Sequence, residues 1–149
     1  YSLAGIKTVK KYLDWIEREF GPNKRIIVNT PYAFIPGNSR RRNVIDVDPI
    51  DFMQLILNAE MIVTDSYHGT LFSVNFAKNF VCLSKSEIAS DYRKTDILKV
   101  LGLTNHIVEN LDEIMPVEMF LNKFDYKNKL NVFRNDSLDY LVACLNEKK

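Results

Sequence analysis

Met61-Ile62-Val63-Thr64-Asp65-Ser66-Tyr67-His68-Gly69-Thr70-Leu71-Phe72-Ser73-Val74-Asn75-Phe76 decides how this chain folds. The apolar start reads as a strand, Asp65 to Gly69 as a tight turn and the remainder as a helix. Phe80-Val81-Cys82-Leu83 follows as the next strand. Two short apolar runs flanking one helix are the signature of parallel strands joined by a crossover.

Upstream, Ile6, Val9, Leu13, Ile16 and Phe20 recur at helical spacing, and Gly21-Pro22 should stop that helix. Arg25 to Asn29 reads as a buried strand and Asn43 to Val47 as a second. Between them an irregular stretch, Tyr32 to Arg42, holds Arg40-Arg41-Arg42. Pro49 suits the first turn of a helix carrying Phe52, Met53, Ile56 and Leu57. Downstream, Ile97, Leu98 and Leu101 mark a helix ending near Gly102, and His106-Ile107-Val108 a short strand. Pro116 opens another helix, and Leu138, Leu141, Val142 and Leu145 mark the last. Strands alternating with helices, the strands apolar on both faces, predict an α/β, Rossmann-like three-layer sandwich with a mainly parallel sheet. No internal repeat or linker divides the 149 residues, so 1–149 reads as a single domain.

Composition narrows the function. With 20 Lys+Arg against 19 Asp+Glu the net charge is +1, which excludes a general polyanion binder, and no nucleic-acid partner is expected. No apolar run approaches the roughly 20 residues that span a bilayer, so no transmembrane segment is expected. Cys82 and Cys144 lie far apart in no CxxC or Cys/His cluster. Both read as small core residues in a reducing cytosol, and no metal site is indicated. The N-terminus has neither a signal peptide nor an initiator Met, from which we expect a fragment of a longer protein.

In an open parallel sheet, ligands bind beyond the carboxyl ends of the strands. That rule selects Tyr32–Arg42, Asp65–Gly69 and Ser84–Arg93. The second is densest: Asp65, Ser66, Tyr67, His68, Gly69 and Thr70 gather hydroxyls, an imidazole and backbone N–H groups at a helix start, which suits a phosphate or carboxylate. His68 can move a proton near neutral pH. The alternative is that Asp65 or Ser66 caps the helix and His68 is a first-turn residue, and spacing alone leaves both readings open. Arg93 starts a helix on the same sheet edge. Arg40 to Arg42 read either as anion ligands or as a solvated surface. Tyr32, Phe34 and Tyr67 read as stacking or packing aromatics. Asp48 reads as the cap before Pro49, and His106 as structural.

The segment from Asp48 to Ser73 resembles the signature region of the polysaccharide pyruvyl transferase family, and Arg93 to Leu103 is similar to that family's next helix. The resemblance implies a GT-B type enzyme with its active site between two Rossmann-like halves, this chain being the C-terminal half and the N-terminal domain missing. It implies transfer of a pyruvyl group from phosphoenolpyruvate to hydroxyls of a polysaccharide or its precursor. The expected partners are therefore phosphoenolpyruvate, as co-substrate, and a saccharide acceptor. No cofactor and no metal are implied. The expected location is the cytoplasm or the inner face of its membrane. An isolated fragment should be inactive, because a cleft needs both walls.

The family's motif histidine maps to His68, with an acid/base role. Asp65, Ser66, Tyr67, Gly69, Thr70 and Arg93 are expected to bind substrate. Certain members carry an arginine two residues before the histidine, where this chain has Ser66. Another cation must therefore hold the donor: Arg93 first, then one of Arg40 to Arg42 or a residue of the missing half. Two other functions fit the same fold: the donor-binding half of a nucleotide-sugar glycosyltransferase, and a non-catalytic glycan-binding module. The first lacks a Gly-rich fingerprint after the first strand.

Overall fold

A computed structural model of the chain describes residues 6–21, 25–28, 41–44, 47–84, 92–112 and 126–146. In order, the elements are α1 (Ile6–Phe20), β1 (Arg25–Val28), β2 (Arg41–Val44), α2 (Pro49–Asn58), β3 (Met61–Thr64), α3 (Tyr67–Asn75), β4 (Asn79–Leu83), α4 (Tyr92–Leu101), a 3-10 turn (Thr104–His106), β5 (Ile107–Val108) and α5 (Lys127–Asn146). The fold is α/β. β3, β4 and β5 form a parallel sheet in that order, and β1 pairs with β2, also in parallel.

Side-chain alternation along β4 shows why helices cover both sheet faces. Phe80 and Cys82 face one way, into a core with Ile62, Ile56 of α2, Val74 of α3 and Leu98 and Leu101 of α4. Val81 and Leu83 face the other way, into a core with Val108 and with Tyr12 and Trp15 of α1. A strand buried on both sides has no position for a polar residue, which is why β4 reads Phe-Val-Cys-Leu. The three layers expected for this sheet are therefore present. On α1 the buried stripe is Val9, Tyr12, Leu13 and Trp15, while Lys7, Lys10, Lys11 and Asp14 are exposed.

Local chemistry sets the helix ends. Asp48 caps α2 as expected, its Oδ1 accepting from the N–H groups of Ile50 and Asp51, each at 2.8 Å. Gly102 ends α4 at φ +73°: its N–H donates to Lys99 O at 3.0 Å and that of Leu103 to Leu98 O at 2.7 Å. This double closure needs a left-handed residue, which glycine adopts without a steric penalty.

Several expectations are corrected. Arg41 and Arg42 belong to β2, Arg41–Val44, instead of to an irregular loop, so the second strand starts earlier than the apolar residues suggest; Ile45 and Asp46 of the expected strand lie outside the described residues. Strand pairing is made by the backbone, and arginine can occupy such a position when its neighbours set the register. The last helix is longer than its apolar residues indicate, starting at Lys127, and Cys144 on it is half-buried instead of lying in the core. α5 is attached mainly at its start, where Tyr126 Oη donates to Val74 O at 2.9 Å and Leu130 packs on the core. Its later apolar side chains, including Leu138, Tyr140 and Leu145, are exposed. Tyr32 to Arg40 and the helix expected at Pro116 lie outside the described residues. Among those residues, no helix is long and apolar enough to cross a membrane.

Candidate active site

The turn after β3 is built from its own hydroxyls. Thr64 Oγ1 accepts from Ser66 N at 3.1 Å, and Ser66 Oγ caps α3 by accepting from Gly69 N at 3.4 Å. Ser66 O then accepts from Thr70 N and from Thr70 Oγ1, each at 3.0 Å. Ser73 Oγ donates to Gly69 O at 2.7 Å. Ser66, Thr70 and Ser73 are all buried. Their hydroxyls are taken up by the backbone of the turn and of α3 itself, Ser66 supplying the capping chemistry that a Ser before a helix start offers.

What this packing leaves at the surface is narrower than the motif. The N–H groups of Tyr67 and His68, the first two of α3, have no acceptor among the described residues, as helix geometry dictates for that position. The His68 side chain is exposed and Tyr67 is half-exposed. The two rings meet edge to face, with centroids 5.6 Å apart. The Arg93 guanidinium carbon lies over the Tyr67 ring, 5.1 Å from its centroid. A cation over an aromatic face is attracted by the ring quadrupole. The structure thus brings imidazole, open amides and a guanidinium to the carboxyl edge of β3, both basic groups being in contact with the Tyr67 ring. Asp65 is half-buried at the same turn.

The sequence reading missed Lys94. Its side chain is buried, at 2% exposure, and Nζ donates to Asp65 O and Leu83 O, each at 2.8 Å. It links the turn after β3 to the end of β4 from the first turn of α4. A signal was present: Lys94, Leu98 and Leu101 share one helical stripe, so the lysine falls on the apolar side of α4.

His106 is buried at the opposite end of β4. Its Nδ1–H donates to Phe80 O at 2.8 Å, and its ring stacks on Phe80 with centroids 4.4 Å apart. Burial pushes its pKa below the ordinary value, partly offset by the hydrogen bond to Phe80. This is the structural role expected of it. Cys82 is likewise buried, with Thr70 Oγ1 at 3.6 Å from its sulfur. Among the described residues no three His, Cys, Asp or Glu side chains are grouped as a metal would need. Phe34 and Tyr32 lie outside the described residues.

A parallel α/β sheet with a strand-to-helix turn presenting open amides and an imidazole is the framework of enzymes that hold small anions at a sheet edge. A family model of polysaccharide pyruvyl transferases matches residues 3–87, more than half of the 149, and the chain belongs to that family. The match runs from α1 through β4 and contains His68; Arg93 and α4 lie beyond it, although the sequence resemblance extends that far. No curated protein and no solved structure gives a match.

Proposed function

We propose that this chain is the C-terminal half of a two-domain, GT-B type enzyme that transfers a pyruvyl group from phosphoenolpyruvate to two hydroxyls of a saccharide, forming a ketal and releasing phosphate. Family membership supports the class of reaction. The observation that carries the assignment to residues is the exposed His68 imidazole beside the two open amides of α3, with the Arg93 guanidinium over the Tyr67 ring.

The chemistry asks for this equipment. The methylene carbon of phosphoenolpyruvate takes up a proton, leaving an oxocarbenium-like centre at the adjacent carbon. One sugar hydroxyl adds there and loses its proton. The carbon–oxygen bond to phosphate then breaks, and the second hydroxyl adds and loses its proton. Two carbon–oxygen bonds form and one breaks; one proton ends on the methyl group and the other leaves with phosphate. His68 is the group placed to give or take these protons. Arg93 and the amides of Tyr67 and His68 hold the donor's anionic groups, and fixed charges of this kind stabilise the charge that develops.

Asp65, Ser66, Gly69 and Thr70 act on the substrate through the shape of the turn, since the hydroxyls of Ser66 and Thr70 are committed to the backbone. The opposite wall of the cleft, against which the saccharide acceptor binds, comes from the N-terminal half, in the cytoplasm or at the inner face of its membrane. The test is phosphate release by the full-length protein from phosphoenolpyruvate and an oligosaccharide acceptor. His68→Ala should lower it by about 100-fold or more, and unchanged turnover overturns the role given to His68.

A further inference from the structure

Lys94 breaks the pattern of the helix that carries it. Moving an ammonium out of water costs several kcal/mol unless it is paired and hydrogen-bonded. A methionine or leucine would fill the same space at no such cost, and the other buried residues of α4, Thr95, Leu98 and Leu101, carry no charge. A cation kept at such a position marks a constraint beyond packing.

Its hydrogen bonds show what is constrained. Asp65 O belongs to the turn that presents Tyr67 and His68, and Leu83 O is the last carbonyl of β4. Both bonds run to the first turn of α4, where the adjacent residue is Arg93. The guanidinium of Arg93 is exposed and touches the Tyr67 ring. Lys94 therefore ties the start of α4 directly to the turn after β3 and to the end of β4, across the residues 85–91 that separate them along the chain.

We propose that Lys94 is a positioning residue. By clamping the first turn of α4 to the carboxyl ends of β3 and β4, it holds the Arg93 guanidinium at a fixed place relative to the His68 turn, and so sets the affinity for the anionic donor. The inference rests on the proposed function, because it takes Arg93 as the donor's cation.

The test uses the full-length protein as wild type, Lys94→Met, Arg93→Ala and the double variant. Phosphoenolpyruvate binding is measured by calorimetry and KM and kcat by phosphate release. Lys94→Met, folded by circular dichroism, should weaken binding and raise KM about tenfold with a smaller change in kcat. In the Arg93→Ala background it should add little, because both changes disable one interaction. Unchanged affinity in Lys94→Met, or losses that simply multiply in the double variant, overturns the proposal while leaving the proposed function standing. A wild-type protein that neither binds phosphoenolpyruvate nor releases phosphate overturns both. If Lys94→Met does not fold, Lys94→Gln, which keeps a donor, is measured in the same way. Failure of both to fold assigns Lys94 to the fold alone and ends the proposal.

Discussion

Thr64 and Gly69 meet without room for a further carbon between them: a Cβ on Gly69 would stand 2.5 Å from Thr64 Oγ1 and 3.2 Å from Thr64 Cβ. The glycine of the motif is therefore fixed by the approach of α3 to β3. Since Thr64 Oγ1 also holds Ser66 N, the threonine cannot turn away without releasing the turn that carries His68.

Gly69→Ala should destabilise the fold by about 1–3 kcal/mol through overpacking. Urea denaturation at constant m-value would measure it. Combining it with Thr64→Ala should recover part of that loss, because the nearest clashing atom is removed. A double variant as unstable as the sum of the two singles would show that Thr64 is not what obstructs the added carbon.

His106 gives the fold a pH dependence. Its pKa is lowered in the folded state from the ordinary value of 6.5, chiefly by burial, so the unfolded chain binds the proton more readily. Stability is then fully present above pH 6.5 and is lost as pH falls from there toward the folded pKa, at up to about 1.4 kcal/mol per pH unit. His106→Phe keeps a ring to stack on Phe80 but gives up the hydrogen bond to Phe80 O, at a cost of about 1 kcal/mol where the imidazole is neutral. The gap between variant and wild type should narrow as pH drops below 6.5. A gap that stays constant from about pH 8 to pH 5 contradicts the assignment.

Ala77 ends α3 with φ at 51°, in the left-handed region that costs a residue with a Cβ about 1–2 kcal/mol. Its N–H donates to Val74 O at 3.1 Å and that of Lys78 to Ser73 O at 2.9 Å, so the conformation is required by the helix end. Ala77→Gly should raise stability by about 0.5–1 kcal/mol, the relief of native strain being partly offset by the greater freedom of glycine in the unfolded chain. A lower melting temperature would show that α3 does not end as described.

Local pattern carried most of this architecture. The alternation of apolar strands with amphipathic helices was sufficient for the parallel sheet, because β4 has no polar side to disguise it, and Asp48-Pro49 announced the start of α2. Arg41 and Arg42 concealed the start of β2, since a strand made by backbone pairing leaves no hydrophobic signature when its side chains are charged. At the site, the motif located the turn but not the division of labour within it. Ser66, Thr70 and Gly69 look as ligand-like as His68 in sequence, and only three-dimensional contacts show the hydroxyls turned to the backbone and the imidazole to solvent. Lys94 gives only a weak signal in sequence, because a lysine in a helix is ordinarily solvated.

Tyr67 separates two explanations of donor binding. Its ring lies under the Arg93 guanidinium and meets the His68 ring edge to face, so the aromatic face and not the hydroxyl should matter. An exposed cation–π contact contributes about 0.5–1 kcal/mol, which predicts a two- to five-fold loss of phosphoenolpyruvate affinity in Tyr67→Ala. Tyr67→Phe should bind as the wild type does. If Phe loses as much as Ala, the hydroxyl itself contacts the donor and Arg93 needs no platform. If neither variant loses affinity, Arg93 reaches the donor without Tyr67, or a different cation holds it.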